Sequence, residues 1–134
     1  MVFKDNRKNG HQALNKAAID FLIKACELVE GQAIALAPVD TGYLRDISID
    51  HYIDEAQLRG FVGSSALYAV YVEFGTGEFA ENGSGRKGGW VYKSAKDGKF
   101  YHTKGIRPQP YLRPAFRTNK SRIQAIAKDI YSQI

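Results

Sequence analysis

The sequence predicts an α+β fold, and three observations carry that prediction. Near each end of the 134-residue chain, apolar residues recur at three-and-four spacing, the period of a helix with one buried face. Between them, two short runs alternate apolar and polar residues with the two-residue period of a strand. Further on, Asp97-Gly98 sits between two aromatic-rich segments, a strong hairpin signal.

The first helix is expected from about Gly10 to Ala37. Leu14, Ala17, Ala18, Phe21, Leu22, Ala25, Leu28, Val29 and Gln32 form its apolar face, with Lys16, Asp20, Lys24, Glu27 and Glu30 mostly opposite. Gly31 weakens the pattern where it falls. Pro38 ends the helix, because the residue before a proline is pushed out of helical geometry. Cys26 reads as a small core residue, since a reactive thiol needs a base or a helix N-terminus beside it and none is evident. Val39 to Arg45 reads as a turn in which the side chain of Asp40 or Thr41 bonds a backbone amide. Ile47, Ile49 and Ile53 then alternate with Ser48, Asp50, Tyr52 and Asp54 as a strand with one buried face. His51 falls in the inward register, where a packed ring is expected before a ligand. A turn at Asp54-Glu55-Ala56 leads into a second antiparallel strand, Gln57 to Gly63.

Residues 66–74 fit a short helix through Leu67, Val70, Tyr71 and Phe74, or a strand through Tyr68, Val70 and Val72; the helix is preferred, with Gly75 as its left-handed cap. Glu73 is the only acid in this run, so its carboxylate should have a partner, with pairing or capping expected ahead of catalysis. Gly75 to Gly89 contains six glycines and one sizeable apolar side chain, Phe79, and reads as a flexible surface loop. Its glycines match neither the phosphate-loop nor the dinucleotide spacing. The hairpin then runs over Trp90–Lys93 and Lys99–Thr103. Ile106 to Pro110 is an extended connector. A final helix is expected from Tyr111 to Ile134, with Leu112, Ala115, Phe116, Ile123, Ile126, Ala127 and Ile130 inward and Arg113, Arg117, Lys120, Arg122 and Lys128 outward. Pro114 fits its first turn, where a missing N–H costs little.

Composition narrows the function classes. No apolar run approaches the roughly 18 residues of a membrane span, and Met1 to Lys8 lacks the apolar core of a secretory signal. The single cysteine excludes an intrachain disulfide and fits a reducing cytoplasm. His11, His51 and His102 are scattered, and no motif gathers a nucleophile with a base. No catalytic residue, cofactor or metal ligand is therefore assigned, although a site assembled only in three dimensions stays open. Residues 1–16 carry four bases and one acid, residues 17–103 eight bases and twelve acids, and residues 104–134 seven bases and one acid. An acidic middle with basic ends fits a nucleic-acid binder, a protein whose acidic face meets the basic face of its next copy, or solvated termini without a partner.

Three blocks stand in order: Ala37-Pro-Val-Asp-Thr-Gly-Tyr-Leu-Arg45, Tyr68-Ala-Val-Tyr-Val-Glu-Phe-Gly-Thr-Gly77 and Pro108-Gln-Pro-Tyr-Leu-Arg-Pro-Ala-Phe116. Together they resemble the small neck, or tail-completion, proteins of long-tailed bacteriophages and prophages, also described as minor tail or head–tail joining components. The resemblance implies a single domain over residues 1–134, with both helices packed on a small, mainly antiparallel sheet; residues 75–105, which composition makes a flexible, protruding loop and hairpin, are the variable part of such chains. It implies a structural, non-enzymatic virion component that forms rings, with six copies as one candidate count, and that docks to connector and tail proteins. It places the protein in the host cytoplasm during assembly and then at the head–tail junction, off the membrane and open to nonspecific contact with passing DNA. A ring needs a heterologous contact, one face of each copy on a different face of the next. Asp46, Asp50, Asp54 and Glu55 are the candidate acidic side, with Arg113, Arg117 and Arg122 of the C-terminal helix as the basic side. Phe79, Arg86, Lys87, Trp90, Tyr92, Phe100 and Tyr101 are the candidate docking residues, expected to order on contact. Two other classes remain: a nucleic-acid-binding module stacking bases on the hairpin aromatics, and a small enzyme with a polar pocket.

Overall fold

The computed structural model describes residues 7–38, 44–66 and 68–134, without the side chains of Asp46 and Ile47. Residues 39–43 of the turn expected over Val39 to Arg45, and Leu67, lie outside the described residues.

Helix α1, Arg7–Leu36, is the spine on which the first sheet and the C-terminal helices pack. Its buried positions are Ala17, Ala25, Cys26, Val29 and Ala33, mostly small side chains that let neighbours approach closely. Burial begins only at Ala17, so Leu14, expected inward, is exposed. The helix continues through Gly31 because Val29 and Ala33 on either side are fixed in the core, and packing outweighs the roughly 1 kcal/mol that a helical glycine costs.

The chain then makes one π-helical turn, Leu44–Ser48, closed by the Ser48 hydroxyl donating to the Leu44 carbonyl at 2.7 Å. This turn absorbs Ile47 and delays the first strand. Strand β1, Ile49–Asp54, pairs antiparallel with β2, Arg59–Ser64, matching Ile49 with Ser64 and Tyr52 with Phe61. Leu58 takes a positive φ of 53°, which holds Gln57 and Leu58 in the turn and starts β2 two residues later than expected. The sheet packs on α1. Ile49 is buried and His51 and Ile53 half-buried, while Asp50 and Tyr52 are exposed on the outer face.

Helix α2, Ala69–Phe74, matches the helical reading of that segment. Strands β3, Trp90–Lys93, and β4, Phe100–Thr103, pair antiparallel as expected. They form their own two-stranded sheet and do not extend β1–β2, so the described residues hold two small sheets where one was expected.

The expected single C-terminal helix is two: α3, Leu112–Arg117, and α4, Lys120–Tyr131. At the break, Thr118 Oγ1 donates to the Pro114 carbonyl at 2.7 Å and Asn119 Nδ2 to the Ala115 carbonyl at 2.8 Å. Such side-chain bonds compete with the helical ladder. Asn119 is buried for this purpose. Phe116, expected inward, is half exposed. The core joins Val29 and Ala33 of α1, Ile49 of β1, Ala69 of α2, and Tyr111 and Ala115 at α3. Helices at both ends of the chain thus pack with antiparallel strands in an α+β arrangement.

Candidate functional site

An internal clamp is built on this frame and positions the surfaces around it. Helix α2 turns Glu73 inward and leaves Val70, Tyr71 and Phe74 exposed, the reverse of the face that apolar spacing suggested. The reason is electrostatic. The first N–H groups of a helix have no intrahelical acceptor and attract a carboxylate. Glu73 Oε2 accepts from the amides of Tyr111 at 2.7 Å and Leu112 at 3.2 Å; Oε1 accepts from the Arg113 amide at 2.9 Å and from Arg113 Nε at 3.0 Å. Burial alone would push this carboxyl up, but the Arg113, Tyr111 and Leu112 amides and the guanidinium outweigh it, so the group stays ionised below its ordinary range.

Arg113 is correspondingly committed within the chain. Its Nη1 and Nη2 donate to the Glu81 carboxylate at 2.8 and 3.1 Å, and Nη2 also to the Glu73 carbonyl at 2.8 Å. Its guanidinium carbon lies 4.4 Å from the centre of the Phe74 ring. Glu81 and Glu73 together push the guanidinium pKa up. The clamp ties the Tyr68–Gly77 block to the Pro108–Phe116 block, and the Gln109 backbone N–H donates to the Val72 carbonyl at 2.8 Å. It supplies the partner that the lone acid required and assigns it a structural task.

Gly75 follows the clamp with φ 79° and ψ 172°, an extended mirror-image conformation and not the left-handed helical cap that was expected. Only glycine adopts it readily. The chain then meets the far end of the hairpin insert. Thr76 donates to the Ile106 carbonyl and Glu78 to the Lys104 carbonyl, each at 2.9 Å, and the Ile106 amide donates to Thr76 Oγ1 at 2.9 Å. The glycine-rich segment is therefore pinned at its base. Beyond it, Phe79 lies half-buried under the Arg107 guanidinium at 4.7 Å.

The hairpin projects from this base. Its pairing puts Trp90, Tyr92 and Tyr101 on one face and Val91, Lys93 and Phe100 on the other. The Tyr92 and Tyr101 rings lie 6.0 Å apart, and Tyr101 donates its hydroxyl to Asp97. That bond and the Lys99 amide hold the Asp97 carboxyl below its usual range, and the Tyr101 phenol is raised. Arg86 sits 5.7 Å from the Trp90 ring. Lys87, Lys93 and Lys99 are exposed. Val91 and Phe100 are 63% and 70% exposed, so this face carries apolar area with nothing covering it among the described residues.

The outer face of β1–β2 is the acidic counterpart. Tyr52 and Phe61 stack there with centroids 6.4 Å apart, flanked by Asp50, Asp54 and Glu55, with Arg59 over the Phe61 ring. Asp54 accepts the Gln57 amide at 3.1 Å, and Asp50 and Glu55 are exposed. The Asp46 side chain lies outside the described set. Of the expected basic partners, Arg117 and Arg122 are exposed on the C-terminal helices, whereas Arg113 is half-buried and held in the clamp.

Two further groupings escaped the sequence reading. His51 Nδ1 lies 2.5 Å from Glu30 Oε2 and 3.9 Å from Asp50 Oδ1, joining β1 to α1. The inward register of His51 was the only signal, because nothing local links it to Glu30. An apolar pocket of about 330 Å³ opens between α1, β2 and the C-terminal helices, lined by Phe21, Leu22, Cys26, Phe116 and Ile123 among others. Cys26 is buried there, and burial, then the Glu30 charge, pushes its thiol up, which suits a packed residue and not a nucleophile.

None of the described helices is long and apolar enough to cross a membrane. Neither a curated protein nor a solved structure gives a significant match to the chain. The model of one protein family, HK97-gp10-like, described as a bacteriophage HK97-gp10 tail component, matches residues 3–75. That match takes in α1, the acidic sheet and α2 with Glu73, and the chain belongs to the HK97-gp10-like family of bacteriophage tail components.

Proposed function

We propose that the protein is a structural, non-catalytic component of the phage head–tail connection, acting in tail completion or head–tail joining. It acts as one domain that assembles into a ring through unlike surfaces and docks to connector and tail proteins with the insert at 75–105. Family membership supports the virion role. The observation that carries the assembly reading is the exposure of apolar side chains on separate faces: Tyr52 and Phe61, Val70 and Tyr71, and Val91 and Phe100. Soluble monomers seldom leave such faces uncovered, and charges of opposite sign flank the first and the last of them.

A second reading has one observation in its favour. The hairpin combines exposed aromatics with lysines, as a surface for single-stranded nucleic acid would. In a ring around a DNA passage this gives weak, salt-sensitive and sequence-independent contact.

Deleting the gene from a producing phage tests the proposal. Filled heads and unjoined tails should accumulate, and plasmid-borne wild type should restore joined particles. Normal infectious virions without the protein would refute it.

A further inference from the structure

Two segments of this chain that lie on its small sheets carry charge almost entirely of one sign. Residues 86–104 contain six bases (Arg86, Lys87, Lys93, Lys96, Lys99 and Lys104) and one acid, Asp97. Residues 46–55 contain four acids and no lysine or arginine. The first segment is the β3–β4 hairpin and its flanks; the second is β1 and its ends. Each belongs to a two-stranded sheet, and each sheet leaves an apolar pair uncovered: Val91 with Phe100, and Tyr52 with Phe61, the latter with Arg59 of β2 over the Phe61 ring.

A lone two-stranded hairpin is marginally stable in water unless one face is covered. This one carries apolar side chains on both faces, since Trp90, Tyr92 and Tyr101 lie opposite Val91 and Phe100. No alternation of apolar and polar residues marks a solvent side. An occupant is therefore needed, and it should be acidic and aromatic at once. The outer face of β1–β2 has that chemistry. The C-terminal helices, the other basic surface, have lost Arg113 to the Glu73–Glu81 clamp and present no comparable exposed apolar sheet.

We infer that the β3–β4 hairpin of one copy docks on the outer β1–β2 face of a second copy of this chain. Val91 and Phe100 cover Tyr52 and Phe61; Lys93, on the same hairpin face, meets the acids beside that pair, and Lys99, just before β4, meets Glu55 at the rim. The contact is heterologous: each copy gives a hairpin to one neighbour and a sheet to the other, so it propagates into a ring or a string. The inference rests on the assembly reading above and names its two surfaces. Rim charges of this kind set orientation and partner choice, and the apolar pairs supply the burial.

The test is a charge exchange read by sedimentation over a concentration series. Lys93→Glu with Lys99→Glu, and separately Asp50→Lys with Glu55→Lys, change exposed side chains, and circular dichroism verifies that each variant is folded. Each pair of changes should raise the half-assembly concentration by at least about tenfold. Mixing the two variants in equal amounts should recover assembly, because each supplies the surface complementary to the other's altered one. Arg117→Glu with Arg122→Glu should leave assembly within about threefold of wild type. Wild type that stays monomeric at every concentration would overturn the assembly reading itself. Wild type that assembles while the hairpin variant assembles equally well, or while only the Arg117/Arg122 variant fails, would overturn this contact alone. Recovery on mixing that does not occur would also overturn it, and tight binding of the wild-type monomer to single-stranded DNA would assign the hairpin to nucleic acid instead.

Discussion

Replacing Glu73 by alanine is expected to lower unfolding stability by about 3–5 kcal/mol, as removal of one partner from a buried ion pair does. For a domain of this size that is a fall in melting temperature of roughly 10 °C or more. The carboxylate is buried and serves three amides at the start of α3 together with the Arg113 guanidinium. Its loss strands these donors and leaves the half-buried Arg113 with only Glu81 and the residue-73 carbonyl. Glu73→Gln keeps the shape but aims an amide nitrogen or a weaker acceptor at the same donors, so an intermediate loss is expected. Thermal melts followed by circular dichroism distinguish the three proteins.

The same carboxylate sets a dependence on acid. The Glu73 pKa in the folded chain lies below its ordinary value, so the folded state favours the ionised form more than the unfolded chain does. The resulting stability is fully present above the unfolded carboxylate value of about 4.3 and is lost as the pH falls through the lower folded value. Glu73→Gln should remove that part of the acid sensitivity. A variant melting profile as steep as that of wild type below pH 4.3 would show that other carboxylates carry it.

Gly77→Ala is expected to have the next largest effect, about 2–4 kcal/mol, from left-handed strain and a clash with backbone. Gly77 has a φ of 62°, and a β-carbon there would press on the Lys104 carbonyl and the Gly105 α-carbon. Those atoms belong to the seam where Thr76 and Glu78 bond Ile106 and Lys104. The damage should be regional. Hydrogen exchange should quicken at the Glu78 and Ile106 amides, while amides in the α1 core keep most of their protection. Unchanged exchange at the seam would mean that the insert is held by something else.

Much of this fold is legible in the sequence where one period dominates. Helix α1 and the β1–β2 alternation follow from apolar spacing, and β3–β4 from Asp97-Gly98. Glu73 could be recognised as needing a partner from its apolar surroundings alone. Its partners could not, because they lie 38 to 40 residues further along the chain. That pairing also explains the reversed face of α2: four hydrogen bonds to a buried carboxylate outrank the outward turn of Val70, Tyr71 and Phe74. The division of α3 from α4 depends on Thr118 and Asn119 bonding backward to carbonyls, which leaves no trace in the hydrophobic pattern. Similarly, Arg113 sits among solvent-facing bases by helical position, and only its bonds to Glu73 and Glu81, distant in sequence, draw it partly inward. Of the expected interface, Asp50, Glu55, Arg117 and Arg122 do lie at the surface. The hairpin gains weight over the C-terminal helices once Arg113 is removed from the basic side.

If this chain works as a built-in part of the particle, cryo-electron microscopy of purified virions carrying a tagged copy of the protein should reveal it there. Density for a closed ring of this fold is expected at the junction of head and tail, with each hairpin laid on the sheet of its neighbour. Mature particles that contain no copy of the protein would contradict it.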